Sequence, residues 1–175
     1  MQHSKEKKTH EVWLRGPIEG IPALLQPAAH ALLQASEDVH KYTTDLPENL
    51  LWKKPVGRAS IGFHIQHMTG VLDRMMTYSK ALPLSDLQFD YLKKEGVANH
   101  KLSIALLINA LDKKVYRALE YFKTLSDAEL KEKRTVGRKE LPSTVIGLLF
   151  HAAEHAQRHV GQLLVTASIL ESEKE

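Results

Sequence analysis

The chain has 175 residues, 43% hydrophobic and 26% charged, with a net charge of +3. That length suits one domain with a substantial core, and the small positive excess, part of it in the N-terminal SKEKK segment, makes no case for nucleic acid. There is no cysteine, which excludes disulfides, thiolate zinc sites and a protein-borne redox thiol, so any thiol chemistry needs a thiol brought by a ligand.

Residues 1–20 read as a polar N-terminal arm, with Trp13 and Leu14 placed to dock on the body before the Gly16-Pro17 break. Leu24, Leu25, Ala28, Ala31, Leu32, Ala35 and Val39 then recur at helical spacing. They predict a first helix over 22–44, which Pro27 should kink or truly begin. A connection follows, with one turn expected from Pro47 to Trp52. Ser60 caps a second helix over 60–81, whose apolar set is Ile61, Ile65, Met68, Val71, Leu72 and Met75. Ser85 is placed to start a short helix. A third long helix is expected over 98–124, with a stripe from Leu102 to Phe122. Ser126 and Glu129 have capping-box spacing. KEKRTVGRKELP reads as a loop or small hairpin, and Ser143 as the cap of a fourth helix over 143–170.

Four long helical patterns without convincing strand alternation predict an all-α fold, a four-helix bundle with long crossover connections. The bundle should span 21–171, with a polar tail at 172–175. No apolar run reaches the ~18 residues of a membrane span, and the polar N-terminus lacks the core of a signal peptide. The expectation is a cytoplasmic protein acting on a small-molecule substrate, with no membrane or nucleic-acid partner. Apolar helix faces left exposed make a homodimer plausible.

The fourth helix carries the chemistry. His151, His155 and His159 fall at four-residue steps in HAAEHAQRHVGQ, which keeps them on one helical face. Imidazoles one turn apart can hold a divalent metal at about 2.0–2.1 Å. Leu148, Ala152, Leu163 and Thr166 share the His155 side, so the face is semi-buried, and bare imidazoles there would cost free energy that a metal offsets. The bland alternative is a set of surface or satisfied core histidines. A site needs a further ligand from another helix: His64 and His67 on the second helix, His30 and His40 on the first, and His100 at the start of the third are the candidates. Periodicity leaves His64 and His67 nearly tied, since His64 lies closer to the apolar centre and His67 sits at the flank beside Val71.

These residues resemble the DinB-like family of metal-binding four-helix bundles, which includes YfiT-like proteins. The likeness rests on the order of the four helices over about 22–170, on the helix-4 histidines running into Gly161-Gln162, and on Ser60 and His67 in SIGFHIQHM, seven residues apart. It implies a divalent metal, zinc or nickel most often, held by His67, His155 and His159, with open positions for water. His64 and His151 then take supporting or structural roles. Many relatives carry Arg where this chain has Val160; that arginine is not a ligand in the family, so its absence touches substrate or outer contacts rather than the metal. The resemblance further implies a thiol-dependent S-transferase-like activity using a low-molecular-weight thiol, or a metal-dependent hydrolase, against the alternative of a non-catalytic, stress-associated metal-binding bundle.

Three neutral histidines leave an ion its +2 charge and an open position, as in catalytic rather than closed structural zinc sites. Glu154 points about 100° away from His155 and is a poor general base, and HAAEH is not the HExxH motif. Gln162, Asp73 and Tyr78 are the expected partners of the ligands' second nitrogens. Arg58, Lys53 and Lys54, just before helix 2, could receive an acidic substrate or thiol cofactor, or form an ordinary basic loop.

Overall fold

Pro27 marks where the first long helix truly begins. In a computed structural model, which describes residues 10–173, a 3-10 turn at Ala23–Leu25 runs into α1 (Gln26–Thr43), and Pro27 sits in the first helical turn. Backbone N–H groups there lack intrahelical partners, so proline costs nothing. α2 (Ile61–Ser79) starts at Ser60, whose hydroxyl accepts the Phe63 N–H at 3.2 Å. α3 (Asp86–Lys94) starts with a full capping box between Ser85 and Gln88, and the short α5 (Asp127–Leu130) with another between Ser126 and Glu129. α4 (Ile104–Phe122) and α6 (Val145–Ser172) complete the helices.

α6 packs against α1 and α2, and α4 packs against the same two helices, which makes the four-helix bundle. Leu32, Ile65, Leu72, Leu111, Phe122, Leu149 and Leu163 fill its centre and are almost wholly buried. α3 is an addition that lies along α2. It buries no residue of its own fully, yet α2 is buried around most of its circumference, including Gln66, Gly70 and Arg74. In a bare bundle such positions would face water.

Three boundaries and contacts differ from the sequence expectation. The third long helix begins at Ile104 rather than 98, because Asn99 to Leu102 close a turn and Ser103 caps, accepting the Leu106 N–H at 3.2 Å. KEKRTVGRKELP forms a hairpin, β1 (Lys133–Val136) with β2 (Leu141–Thr144), in which Arg134 pairs with Ser143. Ser143 is thereby held in the strand, and Thr144 caps α6 instead, accepting the Gly147 N–H at 3.1 Å. In the N-terminal arm Trp13 and Leu14 stay exposed, and Val12 is the residue that docks, buried beside α1 with its N–H donated to Gln34 Oε1. Residues 1–9 of the expected arm and 174–175 of the expected tail lie outside the described residues. No helix among the described residues is long and apolar enough to cross a membrane.

Candidate metal centre

α2 and α6 pack face to face, and four histidines meet in the seam. His64 and His67 come from α2, and His155 and His159, one turn apart, from α6. Nε2 of His67 lies 3.0 Å from Nε2 of His155, and Nδ1 of His64 lies 2.9 Å from Nδ1 of His159. One donor atom each from His67, His155 and His159 falls within 4.8 Å of the others. Nδ1 of His155 is buried and has no hydrogen-bond partner.

A carboxylate orients this cluster. Glu95, just beyond α3, accepts a hydrogen bond from Nδ1 of His67 at 2.6 Å through one oxygen and from Arg74 Nη1 at 2.6 Å through the other. With Nδ1 donating to Glu95, Nε2 of His67 is the ring atom turned to His155 and the one open to a metal. A carboxylate behind a histidine is the usual support of a metal ligand. Gly70 makes room for it: a Cβ there would run into Glu95, into Arg74 Nη1 at 2.7 Å and into Tyr91 at 2.9 Å. Gly96 follows with φ 76° and presses its backbone on Phe63, where a Cβ would come within 2.8 Å of the ring. Phe63 stacks in turn on His67, ring centroids 5.0 Å apart. The Gly96 N–H donates to Gln66 Oε1 at 2.9 Å, so the loop carrying Glu95 is pinned to α2.

Burial keeps three of the rings, those of His64, His155 and His159, neutral. Burial lowers His64 to about 4, aided by the nearby His67. Burial lowers His155 to about 4 as well, with His67, His151 and Arg158 adding repulsion, and holds His159 at about 3. Near pH 7 these three imidazoles offer lone pairs without first losing a proton. Nitrogen donors from His67, His155 and His159, the first of them held by a carboxylate, fit a divalent ion.

The other expected residues lie elsewhere. His151 is exposed and pairs with Glu154 at 2.8 Å, and Glu154 also takes Arg158 Nη2 at 2.6 Å. His151, Glu154 and His155 make a second, more open cluster of potential ligands. His30 touches the Gly16 carbonyl, and His40 bridges to Asp112 on α4. His100 sits exposed in the turn before α4. The expected partners of the ligands are corrected. Asp73 binds Lys114 and Gln88. Tyr78 lines a separate cavity by the hairpin, and Gln162 lines one next to His64. Glu95 contacts Nδ1 of His67 instead, and Nδ1 of His64 lies 2.9 Å from Nδ1 of His159. The KKEG sequence carries a signal for Glu95 only in its glycine, which marks a chain turn at the end of α3.

With this geometry in place, comparison with known proteins adds the following. The sequence model of the DinB superfamily matches residues 31–163. A crystal structure of a Streptococcus pneumoniae protein from a structural genomics programme is similar in fold, with a TM-score of 0.61 and 14% identity, covering 83% of this chain and 88% of that one. No curated protein matches the sequence.

Proposed function

The chain belongs to the DinB superfamily, and on that premise we propose that it is a divalent-metal-dependent enzyme whose ion, zinc or nickel, is held by His67, His155 and His159. One observation carries the reading: Nδ1 of His67 donates to Glu95, which turns Nε2 into the cluster, 3.0 Å from Nε2 of His155. A divalent ion bound there supplies Lewis-acid chemistry and lowers the pKa of a water or thiol.

The residues around the cluster favour thiol transfer over hydrolysis. Hydrolysis wants a general base near the attacking water. Both oxygens of Glu95 are engaged, by His67 and Arg74, and both oxygens of Glu154 by His151 and Arg158. Neither carboxylate is free to take a proton. A thiol would lose its proton to solvent on binding and attack as the thiolate, which needs no base in the attack itself, and because the chain has no cysteine the thiol comes from a small cofactor. Its sulfur would form a bond to an electrophilic carbon, and the leaving group would depart with the bonding pair. The chain's part is to hold His67 by Glu95 and His159 by His64, in one orientation and one tautomer.

The test is metal content of untagged protein purified without a nickel column, followed by turnover of a chromogenic electrophile with bacillithiol or glutathione. About one ion per chain, absent in His155→Ala, with thiol-dependent turnover is expected. Metal-free protein that takes up neither zinc nor nickel overturns the reading. Bound metal without thiol-dependent turnover or hydrolysis replaces the enzyme with a metal-holding bundle.

A further inference from the structure

Beside the histidine cluster, between the segment before α2 and the second half of α6, lies a cavity of about 550 Å³. Arg58 and Arg158 both line it, and no acidic residue does. Arg58 makes no ion pair among the described residues. Arg158 is tied to Glu154 through Nη2 alone, which leaves its other N–H groups to a ligand. Of the three basic residues before helix 2, Arg58 is the one that reaches this space. The lining also includes Thr166, which is 5% exposed. Gln162 adds an amide. Ala59 and Val165 add apolar lining, and at Gly161 an added Cβ would meet nothing within 4 Å.

We propose that this cavity binds a small organic anion, a carboxylate or phosphate head between Arg58 and Arg158 with a short apolar body against Ala59 and Val165. Guanidinium forks match the paired oxygens of such a head, and an uncharged ligand would leave both without use. The Thr166 hydroxyl and the Gln162 amide supply further donors. His64 also lines the cavity, and its Nδ1 is 2.9 Å from Nδ1 of His159, so the pocket lies one imidazole away from the histidine cluster. As the seat of the substrate's or thiol cofactor's anionic end, the pocket rests on the metal-enzyme reading. As an anion pocket it stands without it.

Calorimetric titration with benzoate, phenyl phosphate and neutral benzyl alcohol tests this, on full-length protein both zinc-free and zinc-loaded. The anions are expected to bind and the alcohol not. Arg58→Ala should weaken anion binding about tenfold or more, Arg58→Lys less, and Thr166→Val by a smaller factor. Arg58 is exposed, so these variants should melt with the wild type, and that is checked alongside. Tighter benzoate assigns the head to carboxylates; tighter phenyl phosphate assigns it to phosphate esters. The proposal is overturned if the wild type binds neither anion, if benzyl alcohol binds equally well, or if Arg58→Ala leaves the affinity unchanged. Failure to take up zinc with anion binding intact sinks the metal reading alone. Zinc uptake without anion binding sinks the pocket alone.

Discussion

Two histidines in this chain each rest on a carboxylate from a distant element. His67 meets Glu95 at 2.6 Å, and His40 meets Asp112 at 2.8 Å. The pair chemistry is the same, but the surroundings are not. The His67 and Glu95 side chains are 20% and 3% exposed, against 54% and 38% for His40 and Asp112. Behind Glu95 stands a buried arginine, and ahead of His67 stand two more imidazoles. Behind Asp112 is only the Ser36 hydroxyl, at 2.5 Å. A histidine–carboxylate pair is therefore not a site in itself. Convergence of further donors and exclusion of water make it one.

Removing donors should separate the two regions most sharply. His155→Ala or His159→Ala is expected to abolish stoichiometric zinc uptake, measured by plasma mass spectrometry, while His40→Ala keeps it. Equal metal content in all three variants would break the comparison.

Removing the carboxylates comes next. Glu95→Ala leaves Arg74 charged and buried, which costs about 3–5 kcal/mol in urea unfolding. The same change should lower zinc affinity roughly 10–100-fold through loss of the second bond to His67. Asp112→Ala should cost no more than about 1 kcal/mol. Gly70→Ala tests the same support from the other side. Its Cβ would displace Glu95 and Arg74, and overpacking of this kind costs about 1–3 kcal/mol.

Acid provides a subtler test. His64, His155 and His159 have pKa values lowered by folding, to between about 3 and 4, while the unfolded chain titrates near the ordinary value of 6.5. Below 6.5 the unfolded state binds more protons, so stability falls as pH drops from about 6.5 to about 4, and this contribution levels off once the folded rings protonate. The midpoint temperature of metal-free protein should be lower at pH 4.5 than at pH 7.5, and zinc should raise it at pH 7.5 but not at pH 4.5. The smallest effect belongs to His40→Ala, at most about 1 kcal/mol, because an exposed pair is screened by water.

Much of the frame is readable in the residues. Ser60, Ser85 and Ser126 stand as caps where their spacing places them, since a cap depends on a few neighbouring backbone groups. Ser143 fails the same test for a non-local reason, because strand pairing with Arg134 claims it. The later start of the third long helix is a local matter, a turn from Asn99 to Leu102 ahead of the Ser103 cap. The fourfold histidine step is equally local, so the shared face of His155 and His159 follows from helix geometry. Periodicity leaves His64 and His67 level. The structure gives both a place: His67 beside His155, and His64 behind His159.

Local periodicity and capping, which act within a turn or two of chain, determine four long helices, their approximate limits and a histidine face on the last of them. Tertiary structure alone decides what lies behind that face. α3 covers a side of α2 that a plain bundle would leave wet, and the loop after it carries Glu95 to His67, twenty-eight residues away in sequence. Arg58 and Arg158, a hundred residues apart, meet at one cavity for the same reason. Contacts over such separations depend on how whole elements pack, and helical periodicity contains no information about that.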